Sequence, residues 1–245
     1  MAMERKVLLD TAGSPVGRYE RLERDGAVYA DLFSRESGVA LNLVAETVLT
    51  ELRGMRIAGD EALGRALIAA GGKSLRHAHL MSRDLARDPA PGSWPDAPGV
   101  RLTDVDRPAG DLVDAFRAAY PPGHPDHREE PLERTLADLE SWISGRDFGP
   151  LLPGSGLAVA PDGAVVGGIL MGTLPGDPPE NGPWVIELFR HPAYRGIGRP
   201  LLERALALTP VPVLGLIVTE GNDRARALYE DLRFRRVLTT LVVQI

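Results

Sequence analysis

Residues 184–206, WVIELFRHPAYRGIGRPLLERAL, carry the most informative pattern in the sequence. It combines an apolar strand candidate, a turn that contains Gly196 and Gly198, and a helix that begins near Arg199 and carries paired leucines. Glycine lets a backbone turn tightly and approach a ligand closely. The start of the following helix offers unpaired N–H groups and the positive end of the helix dipole. The pattern therefore predicts an anion-binding turn.

The residues around this turn strengthen that interpretation. Arg195 and Arg199 can give charge-assisted hydrogen bonds to a phosphate. Pro200 suits the first turn of a helix, where its missing N–H costs nothing. The turn is neither a Walker A loop nor a dinucleotide fingerprint, because the chain lacks the first motif and the turn lacks the third glycine of the second. A purely structural corner remains the alternative, since one Gly-x-Gly is a weak signal.

A second informative stretch is 214–234, LGLIVTEGNDRARALYEDLRF. Its apolar run ends at Thr219, and Asn222 is suited to cap the helix that follows. Tyr229 lies in that helix and carries a phenol, which can donate a proton to a leaving thiolate. The alternative for Tyr229 is a core position, because its spacing also suits the inward face of the helix.

Together the two stretches resemble the GNAT superfamily of N-acetyltransferases. The shared positions are Gly196, Ile197, Gly198, Leu201, Leu202, Asn222, Ala225, Leu228, Tyr229, Leu232 and Phe234. Two positions depart from the family pattern: Ala193 stands where Arg or Gln is usual, and Arg233 stands where glycine is usual. The resemblance covers residues 100–245 and implies the family fold, in which helices flank a mixed central sheet.

Composition and periodicity predict the same organisation. A Pro-rich stretch, DPAPGSWPDAPG at 88–99, predicts a linker because it can hold neither a helix nor a central strand. Residues 1–87 then form an N-terminal segment, and residues 100–245 form the acetyltransferase domain. Within the latter, apolar periodicity predicts the order βααβββαβαβ, which is an α/β (α+β) arrangement.

The N-terminal segment contains a weak internal similarity. Residues 59–81 resemble residues 221–243 with a shift of 161 or 162 positions. This pattern is typical of a degenerate copy of one helix–strand unit, as in tandem members of the family. Coincidence between two Ala- and Leu-rich helices explains it equally well.

The resemblance also implies roles for individual residues. Acetyl-CoA is the expected co-substrate, and it is expected to contact the strand end at Leu188, Phe189 and Arg190, where a backbone N–H would polarise the thioester carbonyl. The other residues expected to bind it are Arg195, Gly196, Ile197, Gly198, Arg199 and Asn222. Tyr229 matches the general acid of the family. Glu187, on the same strand, is the first candidate for the base, and an outward, solvated position is its alternative.

The loop PPGHPDHREE at 121–130 supplies further candidates. His124 and His127 are second candidates for the base, and Glu129 and Glu130 are candidates for binding a cationic substrate. A solvated surface loop is the alternative. His-Pro-Asp-His lacks the further ligands of a metal site, so we expect no metal.

Composition limits the partners. The net charge of −6 argues against general nucleic-acid binding and against an anionic membrane surface. The chain has no cysteine, which excludes disulfides and thiolate chemistry and is compatible with the cytoplasm. A small-molecule or peptide amine is the expected acceptor, and a homodimer stays open. A catalytically silent module that binds acyl-CoA or a protein partner is the alternative function.

Overall fold

The computed structural model describes residues 4–24, 26–90, 92–174 and 181–245. The chain forms two compact units. The first extends to His79 and also includes Leu238–Ile245, and the second is Leu80–Val237. The domain boundaries predicted from the Pro-rich stretch stay a prediction.

The first unit is built mainly from the N-terminal residues. Its elements are β1 (Glu4–Leu9), β2 (Pro15–Arg24), β3 (Ala27–Arg35), α1 (Leu41–Glu51), β4 (Arg56–Asp60) and α2 (Glu61–Ala69), followed by β5 (Lys73–Asp84), which continues into the second unit. Strands β1, β2 and β3 form an antiparallel meander, and β3 pairs with β4 in parallel. Helices α1 and α2 bury Val44, Val48, Leu63 and Leu67 in one aliphatic core.

The second unit has the order predicted from the sequence. Its elements are β6 (Arg101–Thr103), α3 (Ala109–Ala119), α4 (Leu132–Ser144), β7 (Gly156–Val159), β8 (Val165–Leu174), β9 (Gly182–Arg190), α5 (Gly198–Leu208), β10 (Val213–Thr219) and α6 (Asp223–Asp231), and β11 (Arg235–Gln244) leads back into the first unit. This is βααβββαβαβ, and the expected mixed sheet flanked by helices is confirmed.

The sheet of the second unit is mixed. Strands β6 to β9 are antiparallel neighbours in chain order, whereas β10 pairs with β9 in parallel. The hairpin between β7 and β8 forms at the Pro161-Asp162-Gly163 turn, where Gly163 has φ +89° and the Asp162 carboxylate accepts a hydrogen bond from the Ala164 N–H at 3.0 Å. Val165–Met171 of β8 are buried throughout, which explains their continuous run of apolar and glycine residues.

The weak internal similarity corresponds to matching elements. Adding 162 to the bounds of α2 gives the bounds of α6, and the same shift takes the start of β5 to the start of β11. The helix caps also match. Asp60 accepts a hydrogen bond from the N–H three residues later at 2.8 Å, and Asn222 does the same at 3.4 Å. Both are favourable N-cap residue types.

Candidate active site

The centre of the site is an irregular point in β9. The register of β9 against β8 shifts between Leu170 and Met171, so that Leu170 faces Glu187 whereas Met171 faces Val185. Ile186 is therefore an extra residue, as in a β-bulge. A bulge re-aims the side chain beside it, and here that side chain is the Glu187 carboxylate.

Glu187 is hydrogen-bonded and half-buried. Its Oε1 accepts a short hydrogen bond from the Tyr120 hydroxyl, at the C-terminal end of α3. Burial raises the pKa of Glu187 to about 7, and the Asp126 charge also raises it, whereas the Tyr120 hydrogen bond and the Arg128 charge lower it. A carboxylate with this pKa is partly protonated and partly ionised near neutral pH, which suits a group that takes up a proton during a reaction.

Aromatic packing holds Tyr120 in place. Phe116, one turn earlier in α3, contacts the rings of Tyr120, Trp142 and Phe189 edge-on at centroid distances of 5.2–5.9 Å. Burial raises the pKa of Tyr120 well above its usual value, and the Glu187 charge raises it further. Tyr120 therefore stays protonated and donates its hydroxyl hydrogen to Glu187.

Tyr229 lies in α6. It is 7% exposed, and its ring lies 6.0 Å from the Phe234 ring. Burial raises the pKa of Tyr229, followed by the negative charges of Glu187 and Asp126. Tyr229 thus packs in the core, and it is close enough to Glu187 for the Glu187 charge to raise its pKa. Its role as an acid stays a prediction.

The end of β9 directs part of its backbone toward β10. The His191 N–H bonds the Val166 carbonyl at 2.8 Å, on the β8 side. Alternate residues of a strand bond the same neighbour, so the N–H groups of Leu188 and Arg190 point to the other side, where β10 lies. The described register between β10 and β9 joins Gly215 to Trp184, before Glu187 is reached. Phe189, by contrast, is buried at 2% exposure.

The glycine-bearing turn precedes α5 as predicted. Gly196 has φ +87°, a backbone conformation that favours glycine. Ile197 is fully buried and anchors the turn in the core. Helix α5 begins at Gly198 with no side-chain cap and no acidic residue in its first turn. An uncapped helix start of this kind can bind an anion.

Arginines around the turn differ in what they contact. Arg199 pairs with Asp231 at 2.8 Å and with Glu203 at 3.4 Å. Arg190 instead donates to the carbonyls of His191 and Pro192, at 3.3 and 3.2 Å.

Three positive charges accumulate at this turn. The pKa of Arg190 is lowered by burial and then by the nearby charges of Arg224 and Arg195. Arg195 and Arg224 are both exposed. Arg224 stands two residues after Asn222, at the start of α6, and no sequence motif marks it. This local excess of positive charge would favour a polyanionic ligand.

The loop between α3 and α4 brings some predicted residues to the site. The Nδ1 atom of His124 accepts a hydrogen bond from the Asp126 N–H at 3.0 Å, and its ring packs edge-on against Tyr120 at 5.1 Å. His127 is exposed, and its Nδ1 bonds the Tyr120 carbonyl at 2.8 Å. Both histidines thus adjoin Tyr120 rather than Glu187.

The two predicted glutamates of this loop have different surroundings. Glu129 is exposed. The Glu130 carboxylate lies 3.8 Å from the Arg128 guanidinium, and its backbone carbonyl accepts a hydrogen bond from Arg117 at 3.2 Å. Their role in substrate binding stays a prediction.

Asn222 uses both ends of its amide within the protein. Its Oδ1 caps α6, and its Nδ2 donates to the Asp126 carboxylate at 3.1 Å. The same carboxylate accepts a hydrogen bond from the Thr219 hydroxyl. Asp126 and Tyr120 are therefore site residues that sequence reasoning missed. Asp126 lies within the loop 121–130, but the residues predicted there were its neighbouring histidines and glutamates.

A sequence profile of the acetyltransferase (GNAT) family matches residues 110–234, just over half of the chain. The chain belongs to the GNAT acetyltransferase family. Transfer from acyl-CoA is the general activity of this family, and acetyl-CoA is its general co-substrate. The matched residues include Glu187, the glycine-bearing turn and Tyr229. A search of curated protein sequences finds no match.

Solved structures of GNAT proteins share the fold over nearly the whole chain. A GCN5-related N-acetyltransferase from Sphaerobacter thermophilus superposes with a TM-score of 0.66 at 16% identity, covering 99% of this chain and 80% of its own. A tandem GNAT protein from the clavulanic acid biosynthesis pathway gives 0.59 at 19% identity, with 99% and 82% covered. A GCN5-related N-acetyltransferase from Kribbella flavida gives 0.53 at 16% identity, with 99% and 89% covered. At these identities the likeness establishes the fold alone.

The helices carry one further piece of information. No helix among the described residues is both long and apolar enough to cross a membrane.

Proposed function

We propose that the protein transfers the acetyl group of acetyl-CoA to a primary amine by direct attack. The observation that carries this proposal is the Glu187 carboxylate, which is placed beside a bulge on β9, bonded to Tyr120 and close to Tyr229. A base and an acid near the same strand end are what amide formation from a thioester needs. The family supplies the acyl-CoA part of the proposal, and the residues supply the amine part.

Glu187 acts as the base in this proposal. The ammonium form of the substrate loses a proton to the carboxylate, directly or through a water, and the amine nitrogen then attacks the thioester carbonyl carbon. With a pKa of about 7, part of Glu187 is ionised at neutral pH and can accept that proton. Tyr120 fixes the orientation of the carboxylate through its hydrogen bond.

The carbonyl and the leaving group use other atoms of the same site. A backbone N–H at the end of β9, from Leu188 or Arg190, stabilises the oxyanion as the nitrogen–carbon bond forms. The carbon–sulfur bond then breaks, and Tyr229 donates its proton to the CoA thiolate. The nitrogen of the new amide still carries a second proton, which it returns to the Tyr229 phenolate, directly or through a water. The pyrophosphate lies at the uncapped start of α5, close to Arg190, Arg195 and Arg224.

A catalytically silent acyl-CoA-binding module is the second candidate. The departures at Ala193 and Arg233 favour it, because both lie in family motifs. The polar pair of Glu187 and Tyr120 argues against it, since a module that only binds would gain nothing from a half-buried carboxylate with a raised pKa.

Two measurements on the full chain distinguish the candidates. Isothermal titration with acetyl-CoA should show binding in both cases. Thiol release from acetyl-CoA, measured against panels of small amines, aminoglycosides, polyamines and peptides with free N-termini, should exceed the amine-free rate for at least one class. Binding without amine-dependent thiol release in any class would favour the silent module.

A further inference from the structure

One carboxylate connects the loop 121–131 to the turn between β10 and α6. Asp126 accepts a hydrogen bond from the Thr219 hydroxyl through Oδ1 and one from the Asn222 amide through Oδ2 at 3.1 Å. Thr219 is the last residue of β10, and Asn222 caps α6. A single side chain therefore joins the α3–α4 connection to the turn between β10 and α6.

Apolar packing accompanies these hydrogen bonds. A Cβ atom added at Gly221 would lie 3.5 Å from the Pro125 ring, so the residue before Asp126 packs directly on this turn. Gly221 itself has φ +88°, and it lies between the two partners of Asp126. The loop is thus fixed by adjacent polar and apolar contacts rather than by one isolated bond.

The other end of the loop begins at the site. Tyr120, which directly precedes it, donates to Glu187, and its carbonyl bonds His127. The Asp126 charge raises the pKa values of Tyr120, Glu187 and Tyr229. Asp126 is therefore near all three groups, although it bonds none of them directly among the described residues.

We propose that Asp126 is a positioning residue, which fastens loop 121–131 to the β10–α6 turn and so fixes Tyr120 and the Glu187 carboxylate on the acceptor side of the site. This inference rests on the proposed function for its catalytic meaning. The attachment of the loop can be tested without any assay of activity.

Three substitutions in the full chain separate the effects of geometry and charge. Asp126→Asn removes the charge and replaces one of the two carboxylate acceptors by an amide donor, so only one of the Thr219 and Asn222 donors keeps an acceptor oxygen. Thr219→Val removes one hydrogen bond and keeps the Asp126 charge. The exchange Asp126→Asn with Asn222→Asp restores a donor–acceptor pair in the reverse direction, keeps the local charge, and leaves a good cap on α6. Asp114→Asn, on the exposed face of α3, is the matched control for loss of one carboxylate.

Hydrogen–deuterium exchange of the 121–131 amides is the first measurement. Asp126→Asn and Thr219→Val should each speed exchange in this segment by about 10-fold or more, whereas Asp114→Asn should not. The reciprocal exchange should return the segment to within a few-fold of the unaltered protein. Unchanged exchange in both single variants would overturn the proposal.

Titration of Glu187 is the second measurement, made by NMR on protein with ¹³C-labelled glutamate carboxyls and assigned with Glu187→Gln. The charged and ionisable groups that face Glu187 are Tyr120 from α3, Asp126 and Arg128 from the loop, and Tyr229 from α6. Loss of the Asp126 charge should lower the Glu187 pKa by on the order of one unit. Asp114→Asn should leave this pKa unchanged. An unshifted titration in Asp126→Asn would show that the Asp126 charge does not act on Glu187, and an unshifted titration in Thr219→Val, which keeps that charge, would reject a positioning effect on Glu187.

The activity assay then separates this inference from the proposed function. If an accepted amine is found, Asp126→Asn should raise its KM several-fold, and the reciprocal exchange should recover most of that loss. If the unaltered protein transfers no acetyl group, the proposed function fails. The exchange and titration results still decide whether Asp126 fixes the loop and the carboxylate.

Discussion

The two units of the chain share a succession of elements but differ in their chemistry. In the first, β1, β2 and β3 form an antiparallel meander, α1 follows, and β4 pairs with β3 in parallel before α2. In the second, β7, β8 and β9, then α5, β10 and α6, repeat that order and the same pairing directions. The first unit has no counterpart of α3 and α4 among the described residues.

Equivalent positions show what the first unit lacks. Arg35 and Arg190 end β3 and β9, and each guanidinium bonds a carbonyl of the following turn. Three residues before them stand Leu32 and Glu187, both beside a register shift. The position that Glu187 occupies in the second unit is thus held by an exposed leucine, Leu32, in the first unit.

The phenol position differs in the same way. The shift of 162 that relates α2 to α6 places Leu67 at the position of Tyr229. Leu67 is fully buried in the core of the first unit. The shared element order supports the interpretation of the first unit as a degenerate copy, and the comparison shows that a fold can persist where neither polar group is present.

The largest expected effect comes from Glu187→Gln. If Glu187 is the base, turnover should fall by ~10²–10⁴-fold, which is the usual worth of a positioned acid–base group. Leu32→Gln, at the equivalent position of the first unit, should leave turnover unchanged. Steady-state rates with an accepted amine test both variants, and equal effects would break the comparison.

The pH dependence sharpens this test. Glu187 must be ionised to act as the base. The value of kcat/KM should therefore be low at acid pH and should rise as pH increases through the Glu187 pKa of about 7. This inflection should disappear in the residual activity of Glu187→Gln. An inflection retained near pH 7 in that variant would assign it to another group.

Tyr229→Phe should have the next largest effect. The substitution keeps the ring that packs near Phe234 and removes the hydroxyl alone. If the phenol protonates the thiolate, turnover should fall by ~10²-fold while affinity for acetyl-CoA holds. Tyr19→Phe is the control, because Tyr19 stacks on Phe33 in the first unit. An unchanged rate would leave Tyr229 a core residue, with water or solvent protonating the thiolate.

A smaller effect is expected at the cofactor turn. A Cβ atom at Gly198 would meet Leu228 at 3.6 Å, an ordinary contact, so Gly198→Ala fits the folded protein. Isothermal titration should nevertheless show acetyl-CoA binding weakened several-fold, because the methyl group would intrude at the position proposed for the pyrophosphate. Gly110→Ala, in the first turn of α3 and with open space around it, is the control for the backbone effect. Unchanged affinity in a folded Gly198→Ala protein would place the pyrophosphate elsewhere.

The sequence predicted the second unit better than the first for a physical reason. From β6 onward, apolar runs are bounded by turns and caps whose residue types are specific, such as the Asp162-Gly163 hairpin and Asn222. In the first unit, β2 reads PVGRYERLER, and its charged residues mask the alternation of a half-exposed strand. The helix–strand unit suggested for residues 59–81 corresponds to α2 and the first part of β5, whereas β1 to β4 were not anticipated.

The site was predictable only where local sequence determines it. Glu187, the glycine turn and Tyr229 were singled out because strand, turn and helix patterns surround them. Tyr120 and Asp126 become site residues through contacts with positions 67 and 93 residues away in the chain, and no local pattern encodes such contacts. Arg199 shows that a local pattern does not reveal every partner of a side chain. Its position beside the glycine turn predicts phosphate binding, and its guanidinium also pairs with Asp231, which is distant in the sequence.

The smallest expected effect concerns Arg233, which stands where the family usually has glycine. Its φ is +64°, and the position related by the shift of 162 in the first unit is Gly71, with φ +104°. A left-handed conformation costs a non-glycine residue about 1–2 kcal/mol. Replacing that residue by glycine removes this strain, but it also destabilises the fold by roughly 0.5–1 kcal/mol, because glycine has the greater conformational entropy in the unfolded chain.

The Arg233 side chain offsets part of the remaining cost. It is 67% exposed and pairs with Asp88, and an ion pair of this kind contributes about 0–1 kcal/mol. Arg233→Gly should therefore change the free energy of unfolding by less than about 1 kcal/mol, because the relieved strain and the lost ion pair nearly cancel.

In an Asp88→Asn background, where the pair is already weakened, the same substitution should stabilise the protein. Urea unfolding of the four proteins in this double-mutant cycle measures the coupling directly. If Arg233→Gly destabilises both backgrounds equally, the ion pair does not compensate for the departure from glycine, and Arg233 contributes through packing of its aliphatic stem instead.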